Sequence, residues 1–130
     1  METPAPADRV VVPPRGGLWH VIDATGYSIA GLRRLWQETA TRLECAGAGI
    51  MAAAFLWRGA ELWHWLVAGV LLVLILAVEA LNTAIEVLTD RLSPGWSQMA
   101  KDAKDLGSLA VGLVVLTACA FSGLVLTGMV

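Results

Sequence analysis

Formal charge is scarce in this sequence. Asp, Glu, Lys and Arg make up 15% of its 130 residues and hydrophobic residues 57%, far more apolar than a water-soluble domain of this length needs. The nine basic residues stand against eleven acids for a formal net charge of −2, a balance that argues against a nucleic-acid binder. Cysteine is almost missing: Cys45 and Cys119 lie in separate apolar stretches, without metal-type spacing, and read as small core residues. There is no Walker-type glycine loop, no GxGxxG and no HExxH, which removes the common soluble nucleotide-binding and zinc classes. Any nucleotide this chain binds must be held by helices.

The length suits one domain. Residues 1–17 hold all but one of the prolines and lack a long apolar stretch after their basic positions, so a disordered tail is expected there and not a cleaved signal peptide. No formally charged residue occurs from Leu62 to Val78 or from Leu106 to Val130, and both stretches meet the roughly 20-residue requirement of a membrane-spanning helix. Leu43 to Trp57 is shorter and interrupted by Glu44. The linker Arg58-Gly59-Ala60-Glu61 is too short for anything but a tight turn between antiparallel helices, which makes that stretch the first of three spans. The expected spans are about 43–58, 61–89 and 104–129. Trp57, Trp63 and Trp65 cluster at the turn, where indoles favour the headgroup layer.

Ahead of the first span, Trp19, Ile22, Ile29, Leu32, Leu35 and Trp36 recur at near-helical intervals with Arg33, Arg34 and Arg42 between them. The pattern predicts an amphipathic helix over 18–42 lying on the membrane surface. Basic residues gather before the first span and between Asp90 and Asp105, so the positive-inside rule puts the N-terminus in the cytoplasm and the C-terminus in the periplasm. His20 and His64 are isolated and read as interfacial packing residues.

A carboxylate inside a membrane segment is costly unless it meets water, a partner or a metal. Glu79, Asn82, Glu86 and Asp90 need such a reason, for they fall within about 80° of one another on one helix face. Holding helices together by hydrogen bonds would account for one such residue better than for four. A second stripe, Lys101, Lys104, Asp105 and Ser108, opens the last apolar segment. Acids beside lysines at a membrane interface suit a metal-bound polyphosphate, because carboxylates hold Mg²⁺ and ammonium groups neutralise phosphate oxygens.

The run Glu79 to Arg91 resembles the E-x-x-N-(S/T)-A-I-E-x-x-x-D-R block of prokaryotic diacylglycerol kinases, and Ala103 to Val111 resembles their A-K-D-x-G-S-A-A-V block. Gly26-Tyr27-Ser28 followed by Gly31-Leu32-Arg33 adds a third match, so the resemblance covers roughly residues 18 to 130. It implies an all-α homotrimer of three-helix subunits with a surface helix, in the bacterial inner membrane, that moves the ATP γ-phosphate to diacylglycerol. Carried over by motif, Glu79 is the general base on the lipid hydroxyl and Asn82 helps to position that group. Glu38 and Glu86 hold Mg²⁺, while Tyr27, Asp90, Gly95, Trp96, Ser97, Lys104 and Asp105 serve the nucleotide. Ser28, Arg33, Trp36, Arg42 and Ser108 lie towards the lipid.

The chain departs from that pattern at His20 and Asp23, where the family commonly carries basic residues. It is also one residue short between Trp36 and Glu38, which would rotate a continuous helix by about 100° and so belongs in a junction between the surface helix and the first span. The nearest alternative is an undecaprenol kinase of the same superfamily, and the segment around Gly26-Tyr27-Ser28 favours the diacylglycerol branch. A small proton-coupled transporter subunit would use Glu79 but leave Lys104, Asp105 and Asn82 without work. A structural anchor would leave the whole polar stripe without work.

Overall fold

A computed structural model describes residues 16–130, which form four helices and, among the described residues, no strand. They are α1 (Leu18–Leu35), α2 (Thr39–Arg58), α3 (Leu62–Leu92) and α4 (Gln98–Thr127). The expected N-terminal tail lies, through residue 15, outside the described residues. The chain divides into two compact units, one ending at Leu32 and the other running from Arg33 to Val130.

In the first unit, α1 satisfies its own hydroxyls: Thr25 donates to the Val21 carbonyl at 2.8 Å and Ser28 to that of Ala24 at 3.0 Å. Its large apolar residues Trp19, Ile22, Ile29 and Leu32 are all exposed.

In the second unit, the helix that the periodicity extends to Arg42 instead ends at Leu35. Tight turns close it, with Gln37 N–H donating to the Arg34 carbonyl at 3.1 Å and Glu38 N–H to that of Leu35 at 3.0 Å. Glu38 is extended and starts α2, so Thr39 to Arg42 belong to the next helix. The break at Trp36 to Glu38 lets the two helices take independent phases, which a continuous helix one residue short could not do.

The turn from α2 to α3 is made by Gly59, whose φ of 72° is left-handed and open to glycine at little cost. Gly59 N–H donates to Leu56 and Ala60 N–H to Phe55, closing the last carbonyls of α2 in a Schellman-like end. Below it Phe55 packs edge-on to Trp65 and to Phe121, tying α2, α3 and α4 together. His64 packs at this end, its ring centroid 3.9 Å from that of Trp63, and also caps α3: it is 6% exposed, and its Nδ1 accepts the Glu61 N–H at 2.9 Å. Backbone capping explains a histidine that apolar patterning alone could not place.

At its other end α3 stops at Ser93, because Pro94 cannot continue a helix and keeps its predecessor out of the helical region. Ser97 then starts α4, its hydroxyl accepting from Ala100 N–H at 3.2 Å. The pair α3 and α4 packs most extensively, whereas α2 touches both only sparsely. Among the described residues, α3 and α4 are the helices long and apolar enough to cross a membrane. Arg42, Glu44 and Arg58 break the apolar run of α2.

Candidate active site

The buried residues of α3 include Ile75, Glu79, Asn82, Thr83 and Thr89, which share one face of the helix. The helix therefore turns its polar stripe inward and not to the surrounding apolar phase. Glu79 is 5% exposed and Asn82 7%, while Glu86 is half-buried and Asp90 is exposed. The stripe thus runs from a closed interior to an open mouth.

Asn82 Nδ2 donates to Glu86 Oε1 at 3.2 Å, one turn along the same helix. Asn82 Oδ1 is buried without a hydrogen-bond partner and faces Gly107 of α4. At the mouth, Lys104 Nζ donates to Asp90 Oδ1 at 2.5 Å and so joins the two motif-bearing helices. Asp105 pairs instead with Lys101, one turn back on α4. Both pairs are exposed and add little to stability, so their charges remain available to a ligand.

No lysine or arginine among the described residues pairs with Glu79. Its electrostatic neighbours are other acids: Glu38 and Glu86 act on it, and it acts on Glu44. Glu38 comes from the start of α2 and is held there by Arg34. Glu44, the one acid within α2, has an Oε2 that is buried and unpaired. The sequence offered Glu44 only as an interruption of an apolar stretch, and a lone acid there was the signal that could have placed it here.

Beside these residues, α2, α3 and α4 border a half-open apolar pocket of about 510 Å³, lined among others by Glu44, Met51, Leu72, Ile75 and Cys119. Cys45 is half-buried and Cys119 exposed, and neither is in a disulfide.

The loop from Ser93 to Ser97 is braced by Ser93 Oγ, which donates to the Gly95 carbonyl at 3.1 Å and lies 2.7 Å from Ser97 Oγ. Trp96 projects from it, fully exposed to its surroundings. Of the residues expected towards the lipid, Arg33, Trp36 and Ser108 are exposed, and Arg42 Nη2 donates to Thr39 Oγ1 at 3.2 Å. Tyr27 and Ser28 are exposed on α1, in the first unit. In the second unit Asn82 is bonded to Glu86, Glu38 and Glu86 act electrostatically on Glu79, and Asp90 pairs with Lys104.

Among the described residues no group of three or more His, Cys, Asp or Glu side chains is gathered to hold a metal by itself. The acids present still fit a magnesium ion bound with a polyphosphate, since Mg²⁺ in such sites takes one or two carboxylates and completes its shell with water and phosphate oxygens.

A family model described as prokaryotic diacylglycerol kinase matches residues 26–126. A diacylglycerol kinase of a Sinorhizobium species is 43% identical over 94 residues, covering 72% of this chain and 69% of that protein. The Escherichia coli K12 diacylglycerol kinase is 37% identical over 105 residues, 78% of this chain and 84% of its own length. That of Haemophilus influenzae is 34% identical over 96 residues, 73% and 81% respectively.

Proposed function

The chain belongs to the prokaryotic diacylglycerol kinase family and phosphorylates diacylglycerol, and on that premise we propose how its residues do so. The lipid hydroxyl oxygen attacks the γ-phosphorus of ATP, the bond from that phosphorus to the bridging oxygen breaks, and ADP leaves. Glu79 takes the hydroxyl proton, and phosphatidic acid forms. The observation that carries this assignment is the state of Glu79, a carboxylate 5% exposed on the inward face of α3 with no cationic partner. An acid neutralised by an arginine or lysine would be a poor proton acceptor, and this one is not so neutralised.

Asn82 positions the acceptor group beside Glu79. Glu38 and Glu86 are the residues that would hold Mg²⁺, which when bound neutralises phosphate charge. Lys104 and Asp105 contact the nucleotide together with Asp90 and the Gly95-Trp96-Ser97 loop. Phosphoryl transfer asks a protein mainly for alignment and charge compensation, and acids beside lysines supply both. Ser28, Arg33, Trp36, Arg42 and Ser108 face the lipid.

The dimensions of α3 support a reaction at the membrane surface. A helix of 31 residues is about 46 Å long, against roughly 30 Å for the hydrocarbon layer. With Leu62 at one boundary the layer ends near Leu81, so Glu79 sits at its edge and Glu86 and Asp90 reach the headgroups. That is the depth of a diacylglycerol hydroxyl. In this reading α2 is the first span, α1 lies on the cytoplasmic surface of the inner membrane with its exposed apolar residues in the lipid, and the C-terminus is periplasmic. The sparse packing of α2 and the exposed row Leu106, Leu109, Leu113 and Leu116 on α4 suit a homotrimer in which neighbours and lipid cover them.

The test is transfer of label from ATP in mixed micelles offering diacylglycerol or undecaprenol, with wild type and Glu79→Gln. Diacylglycerol is labelled by wild type alone. Label in neither lipid would sink the kinase reading, preferential label in the prenol would change the substrate, and full activity of Glu79→Gln would remove the base.

A further inference from the structure

Gly107 is a motif residue to which the phosphoryl-transfer chemistry gives no task. It is buried on α4, one turn beyond Lys104. A Cβ built on it would stand 2.2 Å from Asn82 Oδ1 and 3.3 Å from Asn82 Cγ. The other glycines within the helices, Gly112 and Gly123 of α4 among them, have nothing within 4 Å of that position. At Gly107 alone among them, the absent side chain is filled by a neighbour.

That neighbour has one way to sit. A carboxylate only accepts, so the 3.2 Å bond to Glu86 requires the nitrogen of the Asn82 amide to face Glu86. The oxygen is then turned to Gly107, where it is buried without a hydrogen-bond partner. An alanine methyl would occupy the space of Oδ1 itself. With Asn82 confined between α3 and α4, the amide would have to swing out of the seam and release Glu86.

We propose that Gly107 is a positioning residue for phosphoryl transfer: its missing side chain seats the Asn82 amide, which in turn fixes the direction of the Glu86 carboxylate. The inference rests on the roles given above to Asn82 and Glu86. Gly107 itself touches no substrate and acts through Asn82.

The experiment uses the full chain in detergent, as wild type, Gly107→Ala, Asn82→Ala and the double variant, and reads the thermal unfolding midpoint alongside lipid phosphorylation. Gly107→Ala is expected to lower kcat tenfold or more with KM for ATP within twofold, and to raise half-saturating Mg²⁺ at least fivefold. Its midpoint falls below wild type, but in the Asn82→Ala background the same substitution does not lower the midpoint, because the clashing group is gone and alanine is the better helix former. A Gly107→Ala enzyme within twofold of wild-type kcat overturns the proposal, as does an equal loss of midpoint in both backgrounds. If Gly107→Ala does not fold, a folded double variant supports the proposal and an unfolded one overturns it. A wild type that labels no lipid fails the kinase reading and the positioning role with it, and is told apart because the midpoints still report the Gly107–Asn82 contact.

Discussion

At the Leu62 end of α3, His64 is buried and its Nδ1 accepts the N–H of Glu61 at 2.9 Å, while Trp63 Nε1 donates to Glu61 Oε2 at 3.2 Å. Towards the Asp90 end, Glu79 and Asn82 are equally buried, but they serve no backbone group: Asn82 turns to Glu86, and the charges that act on Glu79 are those of other acids. At the first end, polar atoms finish a helix and set a turn, although His64 Nε2 is left without a partner. At the second, a buried carboxylate that no cation among the described residues neutralises is open to a ligand or a proton. Burial of a polar group in this protein therefore marks a site only when its partners are not backbone.

Substitutions at the two ends should separate activity from stability. The largest effect is expected for Glu79→Gln, with kcat falling on the order of 10²- to 10⁴-fold by label transfer to diacylglycerol. Its unfolding midpoint should be no lower than wild type, since an amide is easier to bury than a carboxylate. A midpoint well below wild type would show that Glu79 serves the fold as His64 does.

Lys104→Ala should raise KM for ATP by about tenfold or more while leaving the midpoint unchanged, because its pair with Asp90 is exposed. An unchanged KM would make that pair a helix clamp and no nucleotide contact. Glu86→Gln should raise the Mg²⁺ concentration needed for half-maximal rate several-fold, as one charged oxygen donor is lost. A magnesium titration with fixed ATP reads this directly.

At the opposite end the expectation is reversed. His64→Ala should destabilise by about 1–3 kcal/mol through loss of the cap and of packing, with kcat of the folded protein within twofold. Smallest is Gly59→Ala, costing about 1 kcal/mol for a left-handed residue with a Cβ and leaving activity unchanged. Loss of kcat in either would dissolve the contrast between the two ends.

Much of this was legible along the chain. The two charge-free runs gave the helices α3 and α4, and the spacing of Glu79, Asn82, Glu86 and Asp90 put them on one face, because a 3.6-residue repeat is a local property. The end of α1 was legible only in part: apolar periodicity continued through Trp36, whereas the one-residue shortening before Glu38 called for a junction, and the turn bonds at Gln37 and Glu38 lie there. The cap made by His64 was missed, since a histidine among tryptophans shows its packing but carries no sign that its ring returns to the backbone three residues earlier.

The sequence by itself determined that α3 has a polar stripe and that the two motif blocks lie on successive helices. Only the tertiary structure decided that the stripe points inward, that Lys104 meets Asp90, that Glu44 joins the acids around Glu79, and that Gly107 makes room for Asn82. The division has a physical cause. Which residues share a helix face follows from the pitch of one helix, whereas which faces meet depends on the rotation and offset of two helices, and these are set by packing along their whole length.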